Sequence, residues 1–235
     1  MNFSGLKELT IDGVSLVDLT INGVLAWKKE TSRIPSEYQE VEYVLKNHDY
    51  TYLDLGFAFD TACTFYIKAK KTDKWGYFFG AAENSGALNC MITASENFAL
   101  YGSNGTKYVA FANSLIASGT EMDIKCDFRK GVLKVTDFLN GKSSGITSQG
   151  EYTMTNNLFL FAQNYNGNLR VSNAGIYMTS FSYYDKNDNL VCDLVPCYRK
   201  ADGVVGMYDA ARKIFLTPPA VNQENVTLEK GPDVL

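Results

Sequence analysis

Histidine is almost absent from this chain: His48, in Lys46-Asn-His-Asp-Tyr50, is the single example. Any Ser-His-Asp or Cys-His triad would have to use it. It stands in a polar segment between strand-like runs, with no nucleophile motif beside it, so a surface turn is its expected role. Zinc is equally short of ligands. Cys63, Cys90, Cys126, Cys192 and Cys197 are scattered, and the four residues between the last two fit no common zinc spacing. An odd number of cysteines, behind an N-terminus (MNFSGLKELT) without the basic-then-apolar plan of a secretory leader, predicts reduced and mostly buried thiols. It also predicts synthesis in a cytoplasm.

Other absences narrow the function classes. Neither Gly-x-Gly-x-x-Gly nor Gly-x-x-x-x-Gly-Lys-[Ser/Thr] occurs, so no dinucleotide or phosphate-loop site is expected. No apolar run approaches about 18 residues, so no membrane span is expected. Positive charge is not in excess: the formal net charge is −4 and the pI about 5.1, which gives no global pull toward nucleic acid or anionic lipid. No 10–15-residue window carries a helical stripe, which disfavours alternating strand–helix plans. A short helical turn is expected only near Asp209-Ala-Ala-Arg212.

What the chain has in quantity is aromatic and apolar material. Aromatics make up 13% and hydrophobic residues 46% of 235 residues, enough for a sizeable core built on pleated surfaces. Cys63-Thr-Phe-Tyr-Ile-Lys-Ala69 and Met122 to Phe128 alternate with period two, as strands with one wet face do. Leu158-Phe-Leu-Phe-Ala162 is continuously apolar and predicts a strand covered on both faces. Gly102-Ser-Asn-Gly105 and Asn140-Gly141 mark hairpin turns. About a dozen strands are expected after Ile34, at sandwich-like spacing. Before them, Leu9-Thr-Ile-Asp-Gly-Val is echoed ten residues later by Leu19-Thr-Ile-Asn-Gly-Val. Two small hairpins, with Trp27 closing the second, are predicted, followed by a polar linker at 28–33. So small a piece needs something to pack against.

Two segments narrow the class further. Ile34-Pro-Ser-Glu-Tyr-Gln-Glu-Val-Glu-Tyr-Val44 with Tyr52-Leu-Asp-Leu-Gly-Phe57 resembles the opening of laminin-G-like, concanavalin A-like domains in phage and prophage structural proteins. Asp193-Leu-Val-Pro-Cys-Tyr-Arg-Lys-Ala-Asp-Gly-Val-Val-Gly-Met-Tyr-Asp209 resembles the closing segment of that group, although the tail from Leu216 lacks its Gly/Thr-rich ending. The resemblance implies an all-β, two-sheet antiparallel jelly-roll sandwich over residues 34–235, preceded by a hairpin docking segment and linker at 1–33. It implies a non-catalytic virion component in a tail, fibre or baseplate. Such a component is made in the host cytoplasm, holds other virion proteins through its N-terminal segment, and presents the sandwich to a host-surface glycan or a protein. A homo-oligomer fits that setting. No cofactor is called for.

The residues themselves offer several sites. Tyr165, framed by Asn164, Asn166 and Asn168, has the aromatic face and amide groups that a sugar's C–H patches and hydroxyls require. Trp75 at a turn is a weaker candidate, and both segments also read as ordinary loops. Asp185-Lys-Asn-Asp-Asn189, with Asp185 and Asp188, offers hard oxygen donors for calcium, or a plain turn between strands. Glu40 and Glu42, with Glu37 nearby, share a strand face by period-two logic, the arrangement a retaining glycoside hydrolase needs. A carbohydrate-active hydrolase is therefore one alternative function. A phage protein that binds and blocks a bacterial enzyme is another.

Overall fold

The computed structural model describes residues 33–59, 62–72, 75–83, 86–92, 97–103, 108–117, 119–128, 132–147, 154–171, 173, 175–220 and 226–234, and four short strands before them. The chain forms two compact units, Met1–Pro35 and Ser36–Leu235. In the first, β1 (Leu9–Ile11) pairs antiparallel with β2 (Val14–Leu16), and β3 (Asp18–Ile21) with β4 (Val24–Lys28). Ile11 lies opposite Val14 and Ile21 opposite Val24, so the sequence echo is also an echo of pairing. Trp27 stands opposite Leu19.

The second unit opens with β5 (Tyr38–Glu40), β6 (Val44–Lys46), β7 (Leu53–Asp54), β8 (Thr64–Lys71) and β9 (Gly76–Glu83). Next come β10 (Gly86–Ile92), β11 (Asn97–Ser103), β12 (Tyr108–Ala117), β13 (Glu121–Asp127), β14 (Val132–Asp137) and β15 (Lys142–Thr147). Then follow β16 (Phe159–Leu160), β17 (Gln163–Tyr165), β18 (Asn168–Arg170), β19 (Ile176–Tyr184) and β20 (Leu190–Arg199). The chain closes with β21 (Val205–Asp209), β22 (Ile214–Leu216) and β23 (Glu229–Lys230). Strands are more numerous than the dozen expected, because several are two- or three-residue segments too short to show a period. No helix occurs among the described residues; at the expected helical turn, a single turn closes with Lys213 N–H on Asp209 O.

The strands form two sheets. The larger runs β15-β14-β13-β8-β19-β20-β21-β22, with β5 on β20, β6 on β19 and β23 on β6. The smaller runs β12-β11-β10-β9-β16-β7, with β17 on β9 and β18 on β17. Pairing is antiparallel throughout the described strands except for β17 on β9, where Asn164 and Tyr165 align parallel with Ala81 and Ala82. The expected all-β, two-sheet antiparallel sandwich is therefore the observed architecture.

One core joins the sheets. Phe65 of the larger sheet stacks on Phe79 of the smaller at 4.5 Å, and Phe79 meets Phe181 edge-on at 5.7 Å. Phe65, Phe78, Phe79, Phe98, Phe161 and Phe181 are wholly shielded, each contributing about 1.5–3 kcal/mol by burial. The expected strand at 158–162 is cut short, because Phe161 adopts φ 69 and leaves only Phe159 and Leu160 in the sheet. That left-handed backbone costs about 1–2 kcal/mol for a non-glycine residue. It is held by Phe161 N–H on Phe78 O (2.8 Å) and by Lys46 Nζ donating to Phe161 O (3.1 Å).

The opening and closing segments meet around Asp209. Its Oδ1 accepts the amides of Asp193, Ala211 and Arg212, and its Oδ2 accepts Arg212 Nε. Arg212 Nη1 reaches Leu55 O at 2.6 Å, and the guanidinium lies 4.8 Å over the Phe57 ring. Burial alone would raise the Asp209 carboxyl, but the guanidinium and the amides hold it below the usual carboxylate range. Tyr38 of the opening also packs on Tyr208 of the closing segment and on Phe215 just beyond it. The two stretches that carry the resemblance are thus structural partners.

Candidate binding surface

The Tyr165 hairpin folds as its turn chemistry dictates. Asn166 (φ 50) and Gly167 (φ 80) give two consecutive left-handed residues between β17 and β18, the turn that matches strand twist. Asn164 is buried and committed to this framework: Nδ2 donates to Asn157 O (2.9 Å) and Oδ1 accepts Gly167 N–H (3.0 Å). Asn168 Nδ2 donates to Asn166 O, and Asn166 N–H donates to Ala82 O. Tyr165 is half-buried, with the exposed Arg170 guanidinium 3.7 Å from its ring centroid. Of the three asparagines, Asn164 therefore positions the loop rather than presenting its amide, and Arg170 covers one tyrosine face.

Trp75 is not part of that surface. It packs edge-on against Tyr77 at 5.5 Å, beside Ala99. It precedes β9, whereas Tyr165 lies beside Ala82 near the other end of the strand. Seven extended residues, about 23 Å, separate the two places.

The acidic turn behaves as a turn. Asp185 Oδ1 accepts the amides of Asn187 (2.8 Å) and Asn189 (2.9 Å), and Oδ2 accepts Asn189 Nδ2 (2.9 Å). These donors, Asn189 foremost, lower its carboxyl below the ordinary value. Asp188 takes φ 62 and donates its amide to Asp185 O. Among the described residues no cluster of three or more His, Cys, Asp or Glu side chains is placed to hold a metal ion.

Glu40 and Glu42 do not share one strand. Glu40 ends β5 opposite Cys197, and Glu42 lies beyond it on a bend, its amide donating to Pro232 O. The bend cancels the period-two argument that would aim both carboxylates together. His48 lies in an exposed turn, its Nδ1 accepting Tyr50 N–H at 3.2 Å. Gly141-Lys-Ser-Ser-Gly145 spells Gly-x-Ser-x-Gly, yet it starts at a hairpin turn and continues along edge strand β15 rather than entering a helix. The five cysteines are free and buried, as expected. Burial pushes the Cys197 thiol up to about 12 and that of Cys192 higher still.

A different surface emerges on the outer face of the larger sheet. Along β8, Phe65 and Ile67 point into the core, so Tyr66 and Lys68 point out. Tyr66 stands between Lys125 of β13 and Ser182 of β19, and Ser182 lies opposite Asp193 of β20. The Phe138 ring lies parallel to Tyr66, 3° between planes and 6.4 Å between centroids. Tyr184 meets Tyr66 edge-on at 5.6 Å. Three aromatic rings thus form a row, with Phe138 51% and Tyr66 38% exposed and Leu139 56% exposed beside them.

Polar groups frame this row. Lys125 pairs with Asp127 (3.2 Å), Lys68 with Asp123 (3.0 Å), and Ser182 Oγ donates to Asp193 Oδ1 (2.9 Å). Phe138 is set by its turn: Asp137 accepts Leu139 N–H and Asn140 Nδ2–H, and Phe138 N–H donates to Asp123 O. In the sequence Tyr66 is only one beat of an alternating strand. The signal available was an aromatic residue on the wet side of that alternation.

No known protein-family profile matches this chain, and no curated protein does. Among solved structures it is similar to domains LG4-5 of the mouse laminin α1 chain, at 13% identity and a TM-score of 0.46, covering 75% of this chain and 50% of that one. It is similar to chicken galectin 2 at 12% identity and a TM-score of 0.35, covering 61% of this chain and 98% of that one. It is also similar to an alginate lyase from Alteromonas sp. 272 at 14% identity and a TM-score of 0.34, covering 56% and 76%. The chain spans half the length of the laminin chain it matches. None of the three is a phage protein, and the architecture assigned here rests on the strand pairings themselves.

Proposed function

We propose that this chain is a non-catalytic binding module that presents the outer face of its larger sheet to a saccharide, in the setting of a phage virion. The observation that carries the reading is the row Phe138–Tyr66–Tyr184, with Phe138 and Tyr66 exposed and Tyr184 half-buried, framed by Lys125, Asp127, Ser182 and Asp193. Ring faces match the apolar C–H patches of a sugar, and the neighbouring ammonium, hydroxyl and carboxylate groups match its hydroxyls. Exposed aromatics gathered on one rigid sheet face are what a partner covers. The Tyr165–Arg170 hairpin, on the other sheet, is the secondary contact. The virion setting rests on the opening and closing segments of the sequence. In that setting the hairpins of residues 1–35 dock the module to other virion proteins.

Glycan-array screening of the full chain, followed by calorimetry on the best saccharide, tests this. Tyr66→Ala and Phe138→Ala are each expected to weaken that binding by about tenfold or more while leaving the far-ultraviolet spectrum unchanged. A saccharide bound with equal affinity by both variants but lost in Tyr165→Ala moves the site to the hairpin. Failure of every saccharide on the array sinks the reading.

A further inference from the structure

We propose that Cys90 and Cys126 are a cross-sheet dithiol placed to close into a disulfide that staples the two layers of the sandwich. Cys90 lies on β10 opposite Phe79 of β9, and Cys126 on β13 opposite Phe65 of β8. Phe65 and Phe79 stack on each other across the sheets at 4.5 Å. Further out on the same side β11 packs on β14 and β12 on β15, so moving one strand over from each ring brings the two cysteines face to face across the core. Both are free and wholly buried. The Cys126 thiol is hydrogen-bonded to that of Cys90, which, after burial itself, helps push the Cys90 thiol well above its ordinary value.

Closure needs an oxidant, here a small-molecule disulfide such as glutathione disulfide. A thiolate of the pair attacks it and releases one glutathione thiolate, which takes up the proton. The second cysteine then attacks the mixed disulfide and releases the other. One protein S–S bond forms, one glutathione S–S bond is reduced, and the protein loses two hydrogens. Burial makes the exchange pass through an opened sandwich. The bond therefore forms during folding or transient opening in an oxidising medium and stays open in a reducing one.

The experiment refolds the full wild-type chain in a glutathione redox buffer, and in parallel under reductant. Thiol titration in denaturant and peptide mapping follow. The expected product keeps three of its five thiols and yields a linked pair of peptides containing Cys90 and Cys126. Its Tm should rise by on the order of 10 °C over the reduced form, as expected for a loop of this length, and fall back on reduction. Five titratable thiols after oxidative refolding, or a linkage through any other pair, overturns the proposal.

Discussion

At the residue scale, the fold spends charge where it needs geometry. Lys46 is wholly buried, its ammonium donating to the carbonyls of Asp49 (2.9 Å) and Phe161 (3.1 Å). Burial drives its pKa down to about 7; Asp49 pulls it up and Lys71 pushes it lower. The unfolded lysine holds its proton to about 10.5. Between those values the unfolded chain binds more protons than the folded one, so this group makes stability rise with pH across that window. Below pH 7 the full cost of burying the ammonium is present. Lys46→Met should flatten the slope between about pH 7 and 10 by up to about 1.4 kcal/mol per unit, measured by urea unfolding at a series of pH values. A variant with the wild-type slope refutes the assignment. Asp209 is the opposite case, a buried carboxylate fully engaged by donors. Asp209→Asn strands Arg212 without its counter-charge and should cost about 3 kcal/mol in urea unfolding. A loss below about 1 kcal/mol would contradict its place as the joint between opening and closing segments.

Elements here are fixed by backbone proximity as much as by side-chain pattern. Gly206 sits in β21, and a Cβ there would lie 2.2 Å from Leu216 O and 2.9 Å from the Phe215 ring of β22. Gly206→Ala must push β22 outward. The expected cost is about 1–3 kcal/mol in chemical unfolding, with amide exchange accelerated at Ile214–Leu216 before the rest of the sheet. Unchanged protection there would mean that β22 accommodates the methyl. Period-two runs made β8 and β13 legible from sequence, because each has one dry and one wet face. The short strands β7 and β17 were not, since two or three residues carry no period and owe their pairing to neighbours. Leu158–Ala162 misled for a related reason. An apolar run reports burial, and burial holds equally for the strand pair Phe159–Leu160 and for the left-handed Phe161 that ends it.

At the scale of the whole molecule, the N-terminal hairpins and the sandwich are separate compact units. Each hairpin satisfies its ladder within itself, β1 with β2 and β3 with β4. Removal of residues 1–35 should leave a sandwich that melts in one cooperative transition within a few degrees of the full chain, by calorimetry. A truncated chain that fails to fold would show that the first unit completes the second. The virion reading adds that the truncated chain no longer assembles into particles.

Composition and turn chemistry alone determined the β class, the hairpin echo at 9–24 and the burial of the five thiols. These are local properties, set by period, by Asn-Gly and Asp-Gly turns and by the lack of anything to make a helix. The binding surface was decided only by tertiary structure. Tyr66, Phe138 and Tyr184 are far apart in sequence and become neighbours because β14, β13, β8 and β19 lie side by side in register. Trp75 and Tyr165, alike in sequence context, were placed toward opposite ends of β9 by the same cause. Strand order is set by which apolar faces bury best against each other across the whole chain. No local window contains that sum, so no local pattern announces which side chains will meet.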